Sequence, residues 1–143
     1  IAKGASILMW SEYFMHPDSK IVGVDIHSNR HAGVVFPGNC ITSITDATKR
    51  DQVEALLADC GIQEFHVIVD DGSHRYTDQR RTMDIMLPHL KQGGLYVIED
   101  LHADARSRKF AAYLKDESEA ADRNTSAFLE VFVSSSIFIG VKS

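Results

Sequence analysis

The sequence predicts an α/β protein whose mainly parallel, doubly wound sheet is covered by helices on both faces. Short β-branched runs alternate with segments of helical period over most of the first hundred of its 143 residues, and this alternation is typical of such a sheet. Two apolar runs near the end, Phe128 to Val133 and Ile137 to Val141, are joined by three serines, with no room for a helix. They predict an antiparallel strand pair.

Four β-branched runs predict the parallel strands. These strands are expected at Lys20 to Ile26, Cys40 to Thr45, Phe65 to Asp70 and Leu95 to Glu99. A helical pattern from Ile7 to Phe14 comes before the first of them. Right-handed crossovers between parallel strands place ligands outside the carboxyl ends of the strands. Candidate functional residues are therefore sought immediately after each strand.

Two further helices are predicted between the later strands. Each helix is predicted by apolar residues at helical spacing. In the first helix these are Val53, Leu56, Leu57 and Cys60, and in the second helix they are Met83, Met86, Leu87 and Leu90. Thr48 is the expected N-cap of the first helix, which should end at Gly61. The second helix should be broken by Gly93 and Gly94 ahead of the next strand.

Composition and charge limit the function classes. The net charge is −5 and the basic residues are scattered, so nucleic acid is an unfavourable partner. Cys40 and Cys60 form no CxxC pair, which favours free thiols in a reducing, cytoplasmic compartment. No apolar run approaches the roughly 20 residues of a spanning helix, so a membrane location is disfavoured. A single domain over residues 1–143 is the expected organisation, and a homo-oligomer is compatible with the sequence.

Acidic residues lie at or immediately after the carboxyl end of every predicted parallel strand. The carboxylates are Asp25, Asp46, Asp70 with Asp71, and Glu99 with Asp100. Three carboxylates gathered at the mouths of adjacent strands would repel one another by about 4 kcal/mol per pair at 4 Å and an effective dielectric of 20. A divalent cation removes that repulsion, and oxygen ligands favour Mg²⁺ over Zn²⁺. Asp71, Glu99 and Asp100 are therefore the predicted metal ligands, although Asp70 or Asp71 can alternatively cap the following helix.

His74 is the predicted general base. It lies three residues after Asp71, at the expected start of a helix, which would place its imidazole beside the metal site. A hydroxyl group is too weak an acid for imidazole alone, but a metal ion can lower the pKa of that group by several units. The alternative is an ordinary surface histidine at the start of a helix.

Four segments resemble class I S-adenosylmethionine-dependent methyltransferases. The segments are KGASILMWSEYF at 3–14, KIVGVDIH at 20–27, FHVIVDDGSHRYTDQ at 65–79 and GGLYVIEDLH at 93–102. The sequence is most similar to metal-dependent sugar O-methyltransferases of macrolide and related natural-product pathways, and cephalosporin-hydroxylase-like enzymes are nearby. The resemblance implies a Rossmann-like fold that binds S-adenosylmethionine and Mg²⁺, and a small-molecule acceptor such as a glycosylated natural product.

The resemblance also implies where the cofactor would bind. Gly4 and Ser6 correspond to the end of a glycine-rich turn, and Asp25 to the acid that accepts hydrogen bonds from the ribose hydroxyls. Asp46 and Ala47 correspond to the adenine contact, and Asp70 to a position facing the methionine part. For Asp25 and Asp46, a solvated turn or an ordinary helix cap is the competing interpretation.

In that family a central strand comes before the glycine-rich turn, so we expect a further strand upstream of Ile1. It would lie between the strands that end at Asp25 and Asp70, since an empty central slot would expose two unpaired edges. The polar segment after His102 departs from the family pattern, and a gap in the chain is expected there.

Two other functions remain open from the sequence. A nicotinamide-dependent oxidoreductase could use an acid after the second strand, but three clustered carboxylates have no function in hydride transfer. A non-catalytic module could keep the fold without turnover, although Asp71, His74, Glu99 and Asp100 are all present. Binding of S-adenosylmethionine and Mg²⁺ would separate the three hypotheses.

Overall fold

The computed structural model describes residues 4–27, 35–101, 112–113, 116–117, 119, 127–134 and 136–143. The chain divides into two compact units, Ile1–Gly61 and Ile62–Ser143. The expected gap after His102 lies outside the described residues. None of the helices in the described parts of the chain is both long and apolar enough to cross a membrane.

The first unit contains a two-stranded parallel sheet. Its elements are helix α1 (Ala5–Tyr13), strands β1 (Ile21–Asp25) and β2 (Cys40–Ile44), and helix α2 (Arg50–Cys60). Asp25 at the end of β1 pairs with Ile44 at the end of β2. The carboxyl ends of the two strands therefore coincide, as the sequence pattern predicts for parallel neighbours.

The second unit contains a four-stranded mixed sheet. Its elements are β3 (Phe65–Asp70), α3 (Tyr76–Met86), a 3₁₀ turn (Leu87–His89), β4 (Leu90–Ile98), β5 (Phe128–Val133) and β6 (Phe138–Lys142). The strand order is β3-β4-β6-β5, with β3 and β4 parallel and the other two pairs antiparallel. The predicted α/β class and the antiparallel C-terminal pair are both confirmed.

The core of the second unit lies between the sheet and α3. Its buried side chains are Ile68, Met83, Leu90, Tyr96, Ile98, Phe128 and Phe138. Alternate residues of β3 and β4 face this core, as a strand with one covered face requires. Asp70, which ends β3, belongs to the same buried face as Ile68.

Two predicted helix boundaries are wrong. Lys49, and not Thr48, occupies the N-cap position of α2, because the Thr48 hydroxyl donates instead to Oδ1 of Asp46, 2.7 Å away. The left-handed Gly61 at the end of α2 is confirmed, with φ of 62°. The helix α3 ends at Met86 and not at the glycine pair, because Pro88 follows in a 3₁₀ turn and the strand begins at Leu90.

The glycine pair instead lies inside β4, at an irregularity in its pairing with β3. Phe65 pairs with Leu90, but Val67 already pairs with Leu95. An advance of two residues along β3 therefore corresponds to an advance of five residues along β4. Gly93 has φ of 74°, a backbone conformation that glycine adopts without strain. Beyond the irregularity the register is regular, and it brings Ile98 opposite Asp70.

We expect Gly94→Ala to lower the free energy of unfolding by about 1–3 kcal/mol, the usual effect of overpacking. A Cβ at this residue would lie 2.8 Å from the Lys91 carbonyl oxygen and 2.9 Å from that of His66, and both are backbone atoms that cannot turn away. Urea unfolding measures the effect. Gly38→Ala is the control, since a Cβ there meets nothing within 4 Å. Equal stability of the two variants would contradict this account of the β4 irregularity.

Candidate active site

The candidate site lies at the carboxyl ends of β3 and β4. Because Asp70 and Ile98 are paired at the ends of these parallel strands, the residues that follow them meet at one edge of the sheet. The Glu99 amide donates to the Asp70 carbonyl oxygen at 3.0 Å and continues the ladder by one step. Asp71 follows one strand and Asp100 the other, which places carboxylates from two chain segments together.

Three side chains at this edge approach one another closely. One ligand atom from each of Asp71, His74 and Asp100 lies within 4.8 Å of the other two. The imidazole Nε2 of His74 is 3.9 Å from Oδ2 of Asp100. The His74 side chain is 30% exposed and the Asp100 side chain 64% exposed. The cluster is therefore open enough to admit a ligand.

Glu99, the third predicted metal ligand, lies outside this closest group but within electrostatic reach of it. Burial raises the pKa of Glu99 above its ordinary value, and the carboxylates of Asp71 and Asp100 raise that pKa further. The charge of His74 acts in the opposite direction. The carboxylates therefore repel one another as the sequence predicts, and a bound cation would relieve that repulsion.

Two residues of the cluster have a strained backbone. Among the residues that the structure describes, His74 and Asp100 are the non-glycine residues with positive φ, at 56° and 52°. Such conformations cost about 1–3 kcal/mol each and persist only where the surrounding structure holds them. His74 was expected at the start of a helix, but it lies two residues before α3, whose N-cap is Arg75. The strain therefore coincides with the site.

Asp70 occupies a different environment from its neighbour Asp71. The Asp70 side chain is 8% exposed, and its Oδ1 accepts a hydrogen bond from the Gly72 amide at 3.1 Å. Its Oδ2 is buried without a hydrogen-bond partner among the described residues. Burial raises the pKa of Asp70 to about 6, against the opposing effects of the Gly72 hydrogen bond and of His74.

The sequence pattern did not single out Gln79, which contacts the site from α3. This glutamine is only 3% exposed, and its Nε2 donates to the Glu99 carbonyl oxygen at 3.3 Å. A detectable signal was available, because Gln79 lies four residues before Met83 on the apolar stripe of the helix. A polar side chain on a buried stripe requires a hydrogen-bond partner.

The candidate cofactor residues of the first unit lie at the ends of its strands and at the start of α1. Gly4 is buried and caps α1 with φ of 74°, and Ser6 lies in the first turn. Oδ1 of Asp25 accepts from the His27 amide at 2.9 Å. Oδ1 of Asp46 accepts from the Thr48 amide, and Ala47 lies in the same turn. Asp25 thus ends β1, and Asp46 lies just after the adjacent parallel strand β2.

Comparison with known proteins identifies the family. A family model described as a methyltransferase domain matches residues 1–101. The chain belongs to the methyltransferase domain family. This result confirms the resemblance on which the sequence-based expectations depend, and it favours methyl transfer over hydride transfer by a nicotinamide enzyme.

Curated relatives of this methyltransferase domain are named as O-methyltransferases. It is 38% identical over 104 residues to L-olivosyl-oleandolide 3-O-methyltransferase of Streptomyces antibioticus, covering 70% of this chain and 24% of that protein. It is 35% identical over 98 residues to demethylmacrocin O-methyltransferase of Streptomyces fradiae, covering 68% of this chain and 23% of the relative. The chain therefore spans about a quarter of the length of these relatives.

The solved structure of MycE, a methyltransferase from the mycinamycin biosynthetic pathway in complex with Mg and SAH, has the same fold. Its TM-score with this methyltransferase domain is 0.78 at 24% identity, and the match covers 98% of this chain and 40% of the MycE chain. A second MycE structure, which also contains mycinamycin VI, gives a TM-score of 0.79 at 23% identity. At this level of identity the comparison establishes the fold.

We expect Asp70 alone to lower the free energy of unfolding by about 2 kcal/mol between pH 4 and pH 6, and by about 3 kcal/mol over its whole titration. The pKa of this group is about 6 in the folded chain and 3.8 in the reference state, so the folded chain binds more protons in this interval. The stabilisation of the fold by protonated Asp70 is complete below the pKa of the reference state, and it is lost as the pH rises through the pKa of the folded chain.

In Asp70→Asn this decrease should disappear, since the amide does not titrate. Urea unfolding in the presence of EDTA, repeated at several pH values, measures it. Asp59→Asn, on the exposed surface of α2, is the control and should keep the decrease. A pH profile of Asp70→Asn that matched the wild type would show that Asp70 is ionised in the folded chain.

Proposed function

We propose that this chain carries the catalytic site of an S-adenosylmethionine-dependent, divalent-metal-dependent O-methyltransferase. The acceptor that we propose is a hydroxyl group of a sugar on a secondary metabolite. The observation that carries the proposal is the approach of Asp71, His74 and Asp100 to within 4.8 Å at one sheet edge, in a chain of the methyltransferase domain family.

The names of the relatives support a sugar hydroxyl group as the acceptor. Several are O-methyltransferases whose named substrates carry a sugar, such as the 2'-O-methyltransferase of 8-demethyl-8-alpha-L-rhamnosyl tetracenomycin-C from Streptomyces olivaceus, 33% identical over 101 residues. MycE is described in complex with Mg, SAH and mycinamycin VI. These descriptions support methyl transfer to a glycosylated small molecule, with S-adenosylmethionine as donor and Mg²⁺ as metal.

Asp71, Glu99 and Asp100 are the proposed ligands of the metal. Carboxylate oxygens are the ligands that Mg²⁺ prefers, whereas imidazole is more typical of Zn²⁺ and later transition metals. The donor set therefore fits Mg²⁺. Burial raises the pKa of Glu99 and repulsion from Asp71 and Asp100 raises it further, and this repulsion supplies the reason for a cation. A bound Mg²⁺ would supply Lewis acidity that lowers the pKa of an acceptor hydroxyl.

His74 is the proposed general base. Its Nε2 faces the Asp100 carboxylate at 3.9 Å, so a hydroxyl group held beside that carboxylate would lie within reach of the imidazole. His74 would take the hydroxyl proton on Nε2, and the acceptor oxygen would then attack the sulfonium methyl in line. The C–O bond would form as the C–S bond breaks, and S-adenosylhomocysteine would leave with the electron pair of that bond. The other contributions of the chain are the positioning of both reactants and the fixed charges around them.

Gly4, Ser6, Asp25, Asp46, Ala47 and Asp70 are the proposed contacts of S-adenosylmethionine, which supplies an electrophilic methyl group. The left-handed Gly4 suits a backbone that closely approaches a ligand. Asp25 and Asp46 lie at the carboxyl ends of adjacent parallel strands, where nucleotide ligands bind in open α/β sheets. Buried Oδ2 of Asp70, which has no partner among the described residues, suits a cationic donor such as the ammonium group of the methionine part.

Removal of the metal should abolish methyl transfer, and Mg²⁺ should restore it. In Asp71→Asn the dissociation constant for Mg²⁺ should rise by at least about tenfold, because a charged ligand becomes neutral. The affinity for S-adenosylmethionine should stay nearly unchanged, since different residues are proposed to bind it. Calorimetric titration measures both constants, with Glu64→Gln, exposed and outside the site, as the control. Full activity in excess EDTA would exclude the metal.

His74→Ala should lower kcat by about two to four orders of magnitude, the usual contribution of a positioned general base. The affinities for Mg²⁺ and S-adenosylmethionine should remain, because the proton transfer contributes in the transition state. Single-turnover methyl transfer and calorimetry measure the two effects, with His66→Ala on β3 as the control. If the variant lost Mg²⁺ affinity instead, His74 would be a ligand; near-normal turnover would exclude both roles.

A further inference from the structure

The left-handed residue Asp100 is held on both sides by hydrogen bonds to other elements. On its N-terminal side, the Glu99 carbonyl oxygen accepts from Nε2 of Gln79 at 3.3 Å. On its C-terminal side, the Leu101 amide donates to the Ser136 carbonyl oxygen at 3.0 Å. Asp100 thus lies between two anchored peptide groups.

These two hydrogen bonds act on the two backbone dihedrals of Asp100. The Glu99 carbonyl belongs to the rigid peptide plane that joins Glu99 to Asp100, so the orientation of that plane sets φ of Asp100. The Leu101 amide belongs to the next plane, which sets ψ. The observed φ of 52° is unfavourable for a residue with a Cβ. Aspartate tolerates this region better than most residues, and an outside constraint on each plane stabilises Asp100 in it.

Gln79 supplies the only one of these constraints that comes from a side chain. It is buried, with 3% exposure, so water does not compete for its amide group. Its helix α3 begins immediately after the segment that carries Asp71 and His74. The hydrogen bond from Gln79 to Glu99 therefore connects the two chain segments that contribute side chains to the cluster.

We propose that Gln79 is a positioning residue that holds the Glu99–Asp100 peptide in its left-handed conformation and thereby aims the Asp100 carboxylate at Asp71 and His74. This inference rests on the proposed function of the site as a metal centre. Gln79 touches neither the metal nor the acceptor in this scheme. It acts on the metal site through the backbone, as partners behind the ligands of a metal commonly do.

The test uses Gln79→Met, which keeps the length and volume of the side chain and removes the donor. The dissociation constant for Mg²⁺, measured by calorimetry with MgCl₂, should rise by about tenfold, the usual effect of losing a partner behind a ligand. Thr82→Val is the matched control. Thr82 is also buried on α3, with 8% exposure, and it lies one helical turn after Gln79. Removal of its hydroxyl group should leave the Mg²⁺ affinity unchanged.

A second measurement needs no metal. In EDTA, amide hydrogen exchange at Leu101 should become at least about tenfold faster in Gln79→Met, because the peptide next to it is released, whereas exchange at Ile98 inside β4 should not change. In Thr82→Val both rates should stay at the wild-type values. The exchange measurement tests directly whether Gln79 constrains the backbone of Asp100.

The outcomes separate the two proposals. If the wild-type chain bound no Mg²⁺ but Leu101 exchange rose in Gln79→Met, the metal centre would be refuted and the constraint on Asp100 supported. If the wild type bound Mg²⁺ and Gln79→Met matched it in both affinity and exchange, the positioning role would be overturned while the metal centre stood. Equal losses in Gln79→Met and Thr82→Val would also overturn it, since they would reflect general destabilisation of α3.

Discussion

The register between β3 and β4 determines what the candidate site contains. Asp70 and Ile98 end their strands side by side, so the acidic residues that follow must share one sheet edge. A shift by one residue would move every side chain of β4 to the opposite face, and it would turn Glu99 toward the apolar core. The irregularity at Gly93 and Gly94 precedes this regular register, and the close packing of Gly94 against two carbonyl groups fixes where the irregularity lies.

This arrangement concentrates unfavourable interactions at the site. Carboxylates from two strands lie close together, Asp70 is buried beside them, and His74 and Asp100 adopt left-handed backbone conformations. Packing and hydrogen bonds elsewhere in the unit must offset these costs. The fully buried Tyr96, Phe128 and Phe138, with the last two rings in edge-to-face contact at 5.5 Å between centroids, provide the apolar contacts that do so. A strained site can persist because a well-packed core behind it contributes the stability that the strain costs.

The sequence predicts correctly the elements whose residue pattern is pronounced, and it predicts the sheet edge at which the candidate active site lies. The β-branched run predicted β3 with its observed ends, and the acidic residues at the strand ends indicated the edge where Asp71 and Asp100 meet. The cap of α2 and the end of α3 were less predictable, because Thr48 can bond to Asp46 as easily as to the helix, and because glycines serve in bulges as well as in helix ends. The left-handed conformation of Asp100 has only a weak sequence signal, since the peptides on either side of it are hydrogen-bonded to the distant Gln79 and Ser136.

The contrast between Asp70 and Asp71 shows how one strand end can supply two kinds of carboxylate. Successive side chains of a strand point to opposite faces, so Asp70 faces the core beneath α3 while Asp71 faces outward and is exposed. Burial raises the pKa of Asp70 to about 6, and near that pH a carboxyl group can be protonated or ionised at small cost. Such a group suits contact with a positively charged ligand, because binding of the cation stabilises the ionised form. Asp71 is exposed beside Asp100 and His74, where a small hydrated cation can reach it. In the proposed function, Asp70 would therefore face the charged part of the cofactor while Asp71 would bind the metal.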